Sequence, residues 1–312
     1  MVLGSHQSNG AKSMTNHEKL TLSPRDNGYV RRFTRVIEYI YANLDEDPDL
    51  ATLAEVAALS PSHWHRVWQS TYGESIFATV KRLRLHRAAG DLAYTDLALP
   101  VVAKRAGYGS LEAFSRSFKQ AYGQTPTAYR SSVSSRRVQP ANGGAPLPKQ
   151  KGPAPMHDVS VKTLPSETLA VLPHRGAYME IGKAFETLFG ILVSRQLVDR
   201  IGAMKALYYS DPTHVAEDDL QSAAGAVIND SFPVDAPLEK RETRAGDYAV
   251  LRYKGPYADM KWAYEWLYGE WLTQSGREPD DAPCLEVYLN NPRDTAPADL
   301  LTDICLPLKP AA

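Results

Sequence analysis

Cysteine is scarce in this chain: two among 312 residues, Cys284 and Cys305. Two thiols cannot build a disulfide scaffold or a four-cysteine metal site. Both fall in stretches that read as strands, where a thiol serves as a small buried hydrophobe. Long apolar runs are missing as well; none approaches the ~20 residues that a membrane-spanning helix needs. Residues 1–28 are polar and lack the apolar core of a secretion signal. A cytoplasmic protein with no membrane partner is the simplest expectation. No Ser-His-Asp set, metal-ligand cluster or phosphate-binding loop is present, so neither a metal nor a cofactor is expected.

The net charge of −1 conceals an asymmetry. Residues 31–137 hold 15 basic and 10 acidic side chains, a net of +5, whereas residues 157–312 hold 15 basic and 24 acidic, a net of −9. The first part can approach phosphates; the second repels them and needs another task. Between them, residues 131–156 carry four Ser, five Pro and three Gly among 26, with few large apolar side chains. Such a composition makes a linker rather than a core. The expected organisation is a disordered N-terminus over 1–28, an all-helical domain over 29–130, a flexible linker over 131–156 and a second domain over 157–310.

In the first domain Phe33, Val36, Ile37, Ile40 and Leu44 fall on one helical face. Thr52-Leu53-Ala54-Glu55 has the form of a capping box, and Ser60-Pro61-Ser62 opens the next helix. A long helix over roughly 76–94 follows, and Pro100 stands at the start of another. Val101 to Tyr108 and Gly109 to Lys119 then read as a helix, a Gly-containing turn and a Ser-capped second helix, the grammar of a helix-turn-helix. The pattern occurs twice. Arg66-Val67-Trp68 and Tyr72-Gly73 match Arg116-Ser117-Phe118 and Tyr122-Gly123 at an offset of 50 residues.

This tandem unit, with its closing Tyr122-Gly123-Gln124-Thr125-Pro126-Thr127-Ala128-Tyr129-Arg130, resembles the DNA-binding domain of the AraC/XylS transcriptional regulators over about 50–130. The first unit departs from that pattern in having Ala58 where a turn Gly is usual. The resemblance implies two helix-turn-helix units joined by a long helix, with both recognition helices on one DNA face. Carried over by position, Ser62, His65 and Arg66 face DNA in the first unit, and Leu111, Glu112, Ser115 and Arg116 in the second. Arg can fork to guanine O6 and N7, and Glu can accept from cytosine N4. For Arg66 and Arg116 a base contact and a phosphate contact both stay open. His65 can equally reach a phosphate, and Leu111 a thymine methyl or nothing.

The second domain reads as α+β and also repeats. Ala170-Val171-Leu172, Gly176 and Tyr178 match Ala249-Val250-Leu251, Gly255 and Tyr257 at an offset of 79. Each half is expected to run strand-helix-strand-strand, the two halves forming a pseudo-symmetric sheet with a groove between them. With Leu285-Glu286-Val287-Tyr288 and a last strand ending Asp303 to Leu308, this domain resembles the gyrase-inhibitor-like effector-binding domain over about 157–309. That family implies a central cleft for small, often lipophilic or cationic molecules, and a ligand-binding role for Glu286.

Helix positions common to both halves, Phe185 and Tyr264 among them, are expected to be core. Trp262 and Trp266 answer to Lys183 and Thr187 in the other half, so they read as pocket walls, as a domain contact or as a local extension of the core. Strand alternation sets Cys284, Glu286 and Tyr288 on one face and Leu285, Val287 and Leu289 on the other. The apolar set is expected under the helices, leaving Glu286 in the groove with Tyr288 and Tyr208. Alternatively, Glu286 pairs with Arg252 or Lys254 at the sheet surface.

Three functions fit. One is a bacterial transcription regulator that binds double-stranded promoter DNA, senses a small-molecule effector and engages RNA polymerase. Another is a hydrolase in which Glu286 and a Tyr activate water. The third is an architectural DNA-binding protein.

Overall fold

The computed structural model describes residues 28–46, 49–137 and 157–311. The expected disordered stretch over 1–28 lies outside them but for its last residue, as does the expected linker from 138 onward. The first domain is helical: α1 (Tyr29–Ala42), α2 (Leu50–Ala57), α3 (Pro61–Tyr72), α4 (Ile76–Tyr94), α5 (Leu99–Arg105), α6 (Leu111–Tyr122) and α7 (Pro126–Arg137). The apolar stripe of α1 closes on Leu53, Ala57, Trp64, Trp68 and Tyr72, giving the first unit its own core. Phe114, Phe118, Tyr122 and Tyr129 form the second, with α4 contributing to both.

Helix α7 corrects the expected boundary, because residues 131–137 are helical. Their Ser-rich composition misleads: Val133 is fully buried in the second core beside Tyr129 of the same helix, which carries α7 past the expected boundary. The cap of α2 is also shifted. Asp49, not Thr52, caps this helix, its carboxylate accepting from the Thr52 amide at 2.6 Å.

Ala58 ends α2 with φ 52°, and Gly107 occupies the matching turn with φ 80°. The first unit thus keeps the left-handed turn without a glycine. Holding an L-residue there costs roughly 1 kcal/mol, and Ala58 is exposed, so little packing is lost with its methyl. Ala58→Gly is expected to stabilise the first domain by about 0.5–1 kcal/mol in urea unfolding, part of the relief being offset by the extra freedom of the unfolded chain. At Gly107 the same logic reverses, since a Cβ there would clash with the Arg84 guanidinium.

The second domain is one antiparallel eight-stranded sheet with helices on one face. Its elements are β1 (Val159–Leu164), β2 (Thr168–Arg175), α8 (Gly182–Ser194), β3 (Ile201–Tyr208), β4 (Gln221–Ile228), β5 (Glu239–Glu242), β6 (Gly246–Lys254), α9 (Met260–Trp266), α10 (Leu272–Ser275), β7 (Cys284–Tyr288) and β8 (Leu301–Pro307). The strand order, β1-β6-β8-β7-β3-β4-β2-β5, reads as a palindrome of the repeat, each strand of one half mirrored by its counterpart. The strand-helix-strand-strand halves are as expected; the edge strands β1 and β5 are additions. Each edge strand precedes its own half yet pairs with the other, β1 on β6 and β5 on β2, lacing the halves together. At the centre β3 pairs with β7, and there Ala206 stands opposite Glu286. These two are repeat partners, so the carboxylate lies at the midpoint of the pseudo-symmetry.

Candidate functional site

The expected orientation of β7 is reversed. Leu285 and Val287 join Leu169, Val171, Leu207, Ala223, Tyr248, Val250 and Cys305 in a core on the face away from the helices. Glu286 therefore lies on the helix side, only 3% exposed. Both faces of the sheet are buried here, so an apolar pattern on one strand cannot say which face carries the helices.

Glu286 is held by three phenols. Its Oε2 accepts from Tyr288 at 2.7 Å and from Tyr208 at 3.1 Å, and its Oε1 accepts from Tyr264 at 2.9 Å. The surface ion pair considered above does not form: Arg252 pairs with Asp303, and Lys254 with Asp299. Burial pushes the Glu286 carboxyl above its ordinary value of 4.5, a rise that hydrogen bonds from Tyr288, Tyr264 and Tyr208 only partly offset. Burial, followed by the Glu286 charge, raises the phenols of Tyr208, Tyr264 and Tyr288 well above 10. A buried carboxylate facing phenols but no cation is costly as an anion, and a bound cation would relieve that cost.

More aromatic rings close the box. Tyr178 stacks edge-on against Tyr208 at 4.7 Å between centroids, and Phe185 and Tyr257 stand against Tyr288 at 5.1 and 5.6 Å. The walls thus come as three repeat-related pairs: Tyr178 with Tyr257, Phe185 with Tyr264, and Tyr208 with Tyr288. Sequence reasoning placed Phe185 and Tyr264 in the core and gave Tyr178 and Tyr257 no role. The signal was an aromatic at equivalent positions of both halves.

Trp262 and Trp266 lie elsewhere. Trp262 packs against the core of the second helix-turn-helix unit, the domain contact weighed above. Trp266 joins the core beneath α9 and meets the His157 ring at 5.2 Å.

The expected DNA-facing residues sit on α3 and α6, the second helix of each unit. Arg66, Glu112 and Arg116 are exposed; His65, Leu111 and Ser115 are half-buried. Ser62 lies in the first turn of α3, and its side chain is outside the described residues. Leu111 leans on the second core, which ties up part of its apolar surface. Hydrogen bonding at the start of α6, to its own backbone and to Ser110, holds the Glu112 carboxyl below its ordinary value. That cap competes with any cytosine contact. The Ser110 hydroxyl accepts from the Ala113 amide at 3.2 Å and closes the same turn.

The GyrI-like small molecule binding domain family matches residues 157–309, and a helix-turn-helix domain family of AraC type matches residues 53–132. The chain joins an AraC-type helix-turn-helix domain to a GyrI-like domain. The chain is similar to an uncharacterized HTH-type transcriptional regulator, YbfP, of Bacillus subtilis, with 33% identity over 102 residues, 33% of this chain and 35% of that protein. The chain spans about a third or less of the length of the curated relatives it matches. Among solved structures, the DNA-binding domain of AdpA in complex with a target DNA shares 28% identity at a TM-score of 0.33, covering 35% of this chain and 98% of that one. A hydrolase from Listeria innocua shares 16% identity with a TM-score of 0.38, covering 50% of this chain and 94% of that one. Among the described residues of the GyrI-like and helix-turn-helix domains, no helix is long and apolar enough to cross a membrane, and no cluster of three or more metal-ligating side chains occurs.

Proposed function

We propose that this chain is a cytoplasmic transcription regulator that reads double-stranded promoter DNA with α3 and α6 and responds to a small, lipophilic cation held at Glu286. RNA polymerase is the partner through which such binding acts on transcription. The single observation that carries the ligand class is the buried Glu286 carboxylate with three phenol donors, aromatic walls and, among the described residues, no cationic side chain bonded to it. A cation there gains a charge partner and cation–π attraction from the rings. DNA reading rests on the family match over 53–132, the basic charge of the first domain and the exposure of Arg66 and Arg116.

Selection of sites from a genomic pool, followed by anisotropy titration across salt concentrations, tests the DNA arm. Arg116→Ala is expected to weaken the selected site by about 1–3 kcal/mol, or some five- to 150-fold, with helicity unchanged. A salt slope smaller by about one identifies a phosphate contact; an unchanged slope with relaxed preference at one base pair identifies a base contact. Wild-type affinity in the variant would remove α6 from the reading surface.

A further inference from the structure

Helix α4 has a glycine in its interior, Gly90, where glycine costs up to about 1 kcal/mol relative to alanine. The neighbouring domain explains it. Arg82, His86, Gly90 and Tyr94 recur every four residues and share one face of α4, and each of them meets the GyrI-like domain. Arg82 pairs with Glu186 at 2.9 Å, and His86 Nε2 lies 3.2 Å from the Met179 carbonyl oxygen. The Tyr94 hydroxyl donates to the Ala258 carbonyl. A Cβ on Gly90 would stand 3.3 Å from the Met179 methyl, so the missing side chain is what seats Met179 on the helix.

The points of contact fall on two short helical turns, Tyr178–Glu180 and Tyr257–Asp259, which are equivalents in the repeat. The same turns supply walls of the Glu286 box, Tyr178 against Tyr208 and Tyr257 against Tyr288. The His86 ring meets Tyr257 edge-on at 6.4 Å. One side of each turn therefore faces the carboxylate and the other grips α4. Glu286 itself is only 3% exposed while the domains are docked. Tyr178 and Tyr257 are two of the walls around it, and both stand on turns that hold α4.

We propose that α4 is the lid of the effector site: docking of the DNA-binding domain on these two turns opposes ligand binding at Glu286, and ligand binding loosens that docking. The inference rests on the reading of Glu286 as a cation site. It couples the sites through packed side chains that both use, and needs no signal through residues 138–156. Because α4 joins the two helix-turn-helix units, its release changes how firmly the two recognition helices are held relative to each other.

Tetraphenylphosphonium, an apolar-faced cation, is the probe. Its affinity is measured by calorimetry for the full chain, for Gly90→Glu, which crowds the Met179 seat, and for Met179→Ala, which empties it from the other side. A site available only in a minor undocked population binds more weakly by the fraction that is open. Both variants are therefore expected to bind at least fivefold more tightly than wild type, and the gain is expected to vanish when Glu286→Gln is added. Equal affinity in wild type and both variants, with Glu286 still required, would overturn the lid and leave the cation reading standing. Absence of binding in all three proteins would overturn the cation reading and the lid with it.

Discussion

Glu286→Gln is expected to weaken tetraphenylphosphonium binding by about 30-fold or more while leaving the affinity for DNA unchanged. Removing one partner of a buried, hydrogen-bonded charge pair costs about 2–5 kcal/mol, and the loss here is concentrated because Glu286 is the carboxylate at the centre of the aromatic box. Glutamine keeps the shape: its amide oxygen can accept from Tyr288 and Tyr208 while its NH2 donates to the Tyr264 hydroxyl, so the box stays assembled. Affinity in the wild type should also fall as the pH drops through the raised carboxyl value, because the protonated acid cannot pair with a cation. The ligand-free protein behaves in the opposite sense. A carboxyl whose folded value lies above its unfolded one binds more protons in the folded state, so stability falls as pH rises from about 4.5 through the raised value. Glu286→Gln removes that loss, and the ligand-free variant should melt at a higher temperature than wild type at neutral pH. A variant that binds the cation as well as wild type would remove the carboxylate from the ligand site.

Glu186→Gln should cost about 3–5 kcal/mol and separate the melting of the two domains. Glu186 is buried at the domain boundary, where it pairs with Arg82 of α4 and with Arg293. Arg293 is itself laid over the rings of Tyr72, at 5.0 Å, and Phe189, at 4.7 Å. The Tyr72 hydroxyl reaches the Glu186 carbonyl at 3.2 Å. Burial raises the Glu186 carboxyl, but Arg293 and Arg82 outweigh it and hold it below 4.5. Taking away the charge leaves two guanidinium groups sharing Glu74, which is a close partner of Arg82 alone at 2.7 Å. Uncompensated buried charge of this kind accounts for the size of the effect. The depressed value also sets the sign with pH: this contribution is fully present above about 4.5 and is lost as pH falls through the folded value. Differential scanning calorimetry checks it. One cooperative transition at the wild-type midpoint would show that the pair does not hold the domains together.

Much of the architecture was legible because local patterns there have one physical reading. The apolar stripe of α1, the Ser110 cap and the doubled Arg-x-aromatic pattern each point to a helix in a fixed place. Ala58 kept its turn because its exposed methyl is strained rather than blocked. Capping misled at Thr52, because the Asp49 carboxylate, three residues earlier, takes the cap and accepts from the Thr52 amide. The site was half legible. Alternation correctly grouped Glu286 with Tyr288, and the repeat correctly put Tyr208 beside them. The same repeat misdirected the search for the walls, on the premise that shared positions are scaffold and unshared ones are site. In a pseudo-symmetric domain the central cleft is lined from both halves, so Phe185 and Tyr264 are shared because they line it. Trp262 is unshared because one half meets the second helix-turn-helix unit. The domain contact falls on a face of α4 whose residues, Arg82, His86, Gly90 and Tyr94, share a spacing but no common chemical character, which is why the lid was invisible in the sequence.

Coupling through α4 between the proposed effector site and the DNA-reading surface is the quantity to measure. Anisotropy titration of a selected DNA site, with and without saturating tetraphenylphosphonium, gives it directly for wild type and for Glu286→Gln. The cation is expected to change DNA affinity by at least fivefold in wild type, DNA to change cation affinity by the same factor, as linkage requires, and Glu286→Gln to abolish both shifts. A wild-type DNA affinity that is identical with and without bound cation would contradict the coupling.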